Sequence, residues 1–202
     1  MSVFDVPVII FLLAGFCVVH SFLASEKAKK FAAKRLGEFN IFYRAIYNAV
    51  SVLLLAFVLY ASPKPPVIIY DLPSPIDLIV FFLQALSLVG VVYAFKAMDL
   101  RELLGIEQIS NYYGGIETET PIKFRHGKLH KYMRHPLYFF LILFAGFRPE
   151  MDVFYFTAFV CFSSYFYIGS FFEEKKLVKQ FGDSYVEYQK SVPRIFPLKI
   201  IK

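Results

Sequence analysis

The sequence holds no tryptophan and only two cysteines, and just 19% of its residues carry charge. Cys17 and Cys161 both lie inside apolar runs without a close partner, which excludes a disulfide framework, a redox pair and a cysteine metal motif. They read as buried structural thiols. No G-x-G-x-x-G follows a strand, and neither a P-loop nor a G-x-S-x-G elbow occurs, so the common nucleotide-binding and hydrolase signatures are out. The N-terminal stretch MSVFDVPVIIFLLAGFCVVHSF lacks the basic start and small-residue cleavage site of a secretory signal, and reads as a retained first span. There is no internal repeat and no low-complexity linker.

What is present is apolar surface. Hydrophobic residues make up 57% of the 202 positions, with 25 Phe and 14 Tyr. A soluble domain of this length would carry more charge. The expectation is a single domain, 1–202, of the all-α class: a multi-pass integral membrane helical bundle. The formal charge of +6 does not suggest nucleic acid, because no basic and aromatic platform stands outside the apolar segments. It fits Lys- and Arg-rich loops on one side of a bilayer.

A span needs about 20 helical residues. The first three are expected at 3–23, 41–62 and 76–98, together filling 1–98, with PKPP at 63–66 ending the second. A cytoplasmic loop, 99–135, follows. The next apolar block, 136–172, is too long for one span and is broken by FRPEMD at 147–152, which predicts a tight hairpin of two short spans. A re-entrant pair is the competing reading. Segments 25–40, 99–135 and 173–202 hold five, six and seven Lys/Arg, against one in 63–75. Five transmembrane helices with the N-terminus outside put all three basic segments in the cytoplasm, and four would not. The segment 25–39, with Ser25 as N-cap, is expected to lie with its basic face along the headgroups. The tail 173–202 carries Leu177, Phe181, Tyr185 and Tyr188 at helical spacing, which predicts a C-terminal interfacial helix with a break at Gly182.

Chemistry is concentrated around the hairpin. His126 and His130 stand four apart and share a helical face, yet no Cys, Asp or Glu stands at ligand spacing, so no metal is expected. Gly114-Gly115 reads as a turn. His20, at the end of the first span, is either a polar residue bonded to a neighbouring helix or a functional group. It and Arg44, at the start of the second span, are the candidate substrate contacts. A tight hairpin returns the chain to one membrane face, which brings Arg134-His135 near Glu173-Glu174. Such a mixed-sign pocket suits a zwitterionic ligand, and a structural ion-pair cluster is the alternative.

RHPLY at 134–138 and EEKKLVKQFGDSYVEYQKSVPRIFP at 173–197 resemble the isoprenylcysteine carboxyl methyltransferase-like superfamily of membrane methyltransferases. HSFLAS at 20–25, YRAIYNAVS at 43–51 and DLRELLGIEQ at 99–108 are similar to its NnrU, nurim and methanethiol S-methyltransferase branch. The resemblance implies an S-adenosylmethionine-dependent enzyme whose donor binds at the cytoplasmic ends of the last spans. The acceptor would be a small or lipophilic thiol, or a prenylcysteine-like carboxylate, reached from the lipid bilayer. His130, Arg134 and His135 would hold the donor's carboxylate, and Glu173 or Glu174 its ammonium or sulfonium. Pro136 and Tyr138 belong to the same motif, with Tyr138 offering a ring face or hydroxyl to the adenosine. Glu174 and Arg194 are the catalytic candidates. Phe140 stands where the family often has glycine and demands more room between helices; Lys128-Leu129-His130 replaces the family's Gly-x-Tyr. The alternative is a non-catalytic, nurim- or NnrU-like membrane scaffold. The expected location is a bacterial inner membrane, with the C-terminus cytoplasmic.

Overall fold

The computed structural model describes residues 4–96, 98, 100–114 and 127–198; His126 and Gly115 lie outside them. In chain order the helices are α1 (Asp5–Leu23), α2 (Glu26–Leu36), α3 (Tyr43–Ala61), α4 (Ile76–Lys96), α5 (Leu100–Leu104), α6 (Ile106–Gly114), α7 (Pro136–Gly146), α8 (Val153–Phe181) and α9 (Asp183–Ser191). The strands β1 (Ile68–Asp71) and β2 (Glu150–Asp152) are short. Two compact units result: Met1–Lys64 with Met98–Thr120, and Pro65–Ala97 with Pro121–Lys202.

Four helical stretches are long and apolar enough to cross a membrane, Asp5–Leu23, Glu26–Ala61, Ile76–Lys96 and Val153–Phe181, and a shorter apolar helix, Pro136–Gly146, accompanies them. The all-α multi-pass membrane bundle is therefore observed. Large apolar side chains such as Phe11, Leu53, Tyr60 and Phe82 are mostly exposed, an arrangement that suits hydrocarbon and not water. The hairpin is unequal, however. The first arm, α7, has 11 residues and is about 16 Å long at 1.5 Å per residue, short of the hydrocarbon core. The second arm, α8, runs 29 residues straight through the Phe172–Glu173 boundary, so the interfacial helix expected from 173 begins as an extension of the span.

In the first unit α1 buries Ile9, Leu13 and Phe16 along one stripe and packs against α3. Ser25 caps α2 by accepting from Ala28 N (3.2 Å), as its position predicts. The stretch 100–114, expected as loop, folds into α5 and α6. Gly105, at φ +82°, makes the corner between them and lies against the backbone of Ala45, while Asn48 Nδ2 donates to Leu103 O (2.8 Å). The sequence motifs of α3 and α5–α6 thus interlock.

In the second unit β1 and β2 pair antiparallel with Tyr70 opposite Met151, tying the approach to α4 to the turn between α7 and α8. Asp152 caps α8 by accepting from Tyr155 N (2.8 Å). Gly182, at φ +59°, ends α8 and starts α9, the break its glycine signals. Tyr185, Tyr188 and Val192 then bury themselves against Leu177, Val178 and Phe181, folding α9 back on the end of α8.

Candidate active site

Pro136 opens α7 at its first position, where its missing N–H costs nothing. A residue before proline avoids the helical region, and His135 sits at φ −124°, ψ 68°. The pair runs beside the tail: Arg134 N donates to Pro193 O and His135 N to Arg194 O, each at 2.9 Å. Glu173 and Glu174 arrive on the extension of α8.

Glu174 is the centre, with its side chain 3% exposed. Its Oε1 accepts from Arg134 Nε (2.8 Å), His135 Nε2 (3.0 Å) and Arg194 Nε (3.3 Å). Its Oε2 accepts from Arg134 Nη2 (3.1 Å), Gln189 Nε2 (2.8 Å) and Arg194 Nη2 (3.1 Å). Arg134 also donates through Nη1 to the carbonyls of Gln189 and Val192. A guanidinium has five N–H donors, and four of Arg134's are engaged inside the chain. The anion that Arg134 and His135 grip here is the chain's own carboxylate.

The rim is different. Glu173 is 48% exposed, accepting from Tyr138 Oη (2.9 Å) and facing His135 Nδ1 at 3.5 Å. Arg194 is 26% exposed and lies 3.5 Å over the Phe171 ring, a cation–π contact. Burial disfavours charge on His135, but hydrogen bonds and opposite charge from Glu173 and Glu174 outweigh it and raise its pKa above the ordinary 6.5. Burial pushes the Tyr188 phenol up to about 12, so it stays a donor, and its Oη bonds the His130 carbonyl at 2.7 Å. The Tyr138 ring already stacks within the chain. His135 stacks on one side (5.2 Å, 4°) and Phe166 also stacks on it (5.1 Å, 13°).

The structure therefore brings Arg134, His135, Tyr138, Glu173, Glu174 and Arg194 together, with the buried Pro136 as hinge and the His130 carbonyl at the edge. Gln189 belongs with them and was not anticipated. One signal pointed to it: it shares the helical stripe of Tyr185, Tyr188 and Val192, where a polar residue is out of place. His20 and Arg44 belong to the first unit. His20 Nδ1 bonds Ser51 Oγ (3.0 Å) and its Nε2 bonds Tyr47 Oη (2.9 Å), while Arg44 pairs with Glu102 at 3.3 Å. No group of three metal-ligating side chains occurs among the described residues.

Comparison with known proteins gives this arrangement a setting. Methanethiol S-methyltransferase of a Pseudomonas species is 31% identical over 92% of this chain and 71% of its own length. Methanethiol S-methyltransferase 1 of Bradyrhizobium diazoefficiens is 29% identical over 92% of this chain and 65% of its own length. Nurim of Rattus norvegicus is 28% identical over 62% of this chain and 50% of its own. The chain thus spans about two thirds of the length of the methyltransferases it matches. No solved structure matches it significantly. A family model described as NnrU protein matches residues 8–147, well over half of the sequence, and the chain belongs to the NnrU family.

Proposed function

We propose that the chain is an integral membrane methyltransferase that moves a methyl group from S-adenosylmethionine to a small thiol, with the Glu174 cluster organising the donor site. One observation supports it most: a saturated, buried carboxylate clasp carries a part-exposed cation and a half-exposed carboxylate on its rim. A zwitterionic amino-acid end fits that pair, with Arg194 taking its carboxylate and Glu173 its ammonium. Arg134, His135, Pro136 and Glu174 would hold those two in place, with Tyr138 fixing Glu173 through its hydroxyl. His130 would stand at the edge.

The donor supplies a methyl group already activated on a sulfonium sulfur, so the protein's contribution is placement and charge. A thiol must reach the site as thiolate, since that is the nucleophile. When His135 is protonated, three cations face two carboxylates, and that net positive charge favours the anion. The matched methyltransferases name methanethiol as the acceptor, which favours a small thiol over a prenylcysteine carboxylate. The nurim match covers less of both chains, so the scaffold reading has weaker support. We place the protein in a bacterial inner membrane with the cluster and C-terminus cytoplasmic, the side on which the donor is made. Purified chain should transfer label from methyl-labelled S-adenosylmethionine to methanethiol, and should lose that transfer on Arg194→Ala. Product absent from a preparation that binds S-adenosylhomocysteine would refute the reading.

A further inference from the structure

Three aromatic residues follow Arg134, His135, Pro136 and Leu137 in immediate succession, and each meets a different neighbour. Tyr138 stacks on Phe166 of α8, with 5.1 Å between centroids. Phe139 meets Phe196 of the tail edge-on at 6.0 Å. Phe140 turns to α4, where its ring lies over Gly90 so closely that a Cβ there would overlap it. Steps of about 100° along a helix send successive side chains to three sides, so the rings form a collar around the start of α7. On one side of the collar lies the charged cluster, and on the other lies the apolar length of the helix. Further along, Gln84 Nε2 donates to Phe144 O (3.1 Å) and holds α4 against α7. Phe140 and Gly90 are thus a knob and its hole in the seam between those helices.

We propose that Phe140, seated on Gly90, sets the size limit on the methyl acceptor. On this reading the chain of a longer thiol runs from the charged cluster toward the α4–α7 seam, which the Phe140 ring fills against Gly90, so short thiols are admitted and long ones rejected. The proposal rests on the methyltransferase reading and adds the determinant of acceptor length. One methylene in an apolar pocket changes discrimination by about tenfold or more, and removing a phenyl ring frees the volume of several.

The test compares kcat/KM for straight-chain thiols from methanethiol to octanethiol in wild type and in Phe140→Ala. The octanethiol to methanethiol ratio should rise by at least about tenfold in the variant. Parallel chain-length profiles would overturn the proposal while leaving the methyltransferase reading intact. A wild type that binds S-adenosylhomocysteine and methylates no thiol would instead overturn both. Should Phe140→Ala not fold, Phe140→Leu gives the same comparison with a smaller loss of ring volume. The seat itself is read from thermal unfolding. Gly90→Ala should destabilise the wild type and be harmless beside Phe140→Ala, whereas equal effects in both backgrounds would contradict the contact.

Discussion

The two units each join their helices through a histidine, and they do so in opposite ways. In the first, Ser51 Oγ donates to Tyr47 O (2.8 Å), so it accepts from His20 Nδ1, and His20 Nε2 accepts from the Tyr47 hydroxyl. That chain is neutral and each hydrogen bond has a donor and an acceptor. In the second, His135 joins two arginines around a buried carboxylate. A neutral, satisfied network is a cheap way to tie helices inside a bilayer, because nothing charged is desolvated. A buried ionic cluster is an expensive way to do the same, and apolar packing would often serve stability as well. The comparison supports the donor-site role proposed for the second cluster, whereas these hydrogen bonds of the first are satisfied within its own unit. The ends of the helices also matter. His20 lies within its span, whereas the charged cluster stands where α7 begins and the tail folds back over it.

Breaking the charged cluster should have the largest effect. Glu174→Ala leaves Arg134 and His135 buried without their carboxylate, and losing one partner of a buried ion pair costs about 3–5 kcal/mol. Thermal unfolding in detergent should show it, together with complete loss of methyl transfer. An intermediate effect is expected in the neutral network. Ser51→Ala removes the acceptor for His20 Nδ1 and should cost about 1–2 kcal/mol, with methyl transfer by the surviving folded protein unchanged. Equal losses of activity in the two variants would erase the distinction between the clusters.

The smallest effect is pH dependence. Because the fold favours the His135 cation, its stabilisation is complete below about 6.5 and is lost as pH rises through the elevated native value. The melting temperature of wild type should fall as pH rises above the ordinary histidine value of 6.5. His135→Gln should flatten that slope.

Much of this was legible in the sequence, for identifiable reasons. Apolar runs bounded by PKPP and FRPEMD locate the helices, because proline and charge interrupt a span wherever they fall. Ser25 and Gly182 mark a cap and a break through local backbone chemistry. The convergence of Arg134-His135 with Glu173-Glu174 follows from a tight hairpin alone. What the sequence did not carry is partnership across long separations. Nothing local says that Arg134 spends its donors on Glu174 and the tail carbonyls, that His135 and Phe166 both stack on Tyr138, or that Arg44 pairs with Glu102. Phe140 is instructive. Read in its own segment it looks like an obstacle to close packing, and the glycine that accommodates it stands fifty residues earlier on α4. The length of α7 was legible, because FRPEMD at 147–152 bounds an arm that starts at Pro136; hidden were the run of α8 past Glu173 and the pairing of β2 with β1, which hydropathy does not register.

The most direct test is calorimetric titration of the purified chain with S-adenosylhomocysteine. The account predicts saturable binding that Arg194→Ala and Glu173→Gln each weaken by roughly tenfold or more, the loss of one charge-assisted contact, and that Ser51→Ala leaves unchanged. Absence of binding by the wild type, or binding indifferent to the first two substitutions, would contradict it.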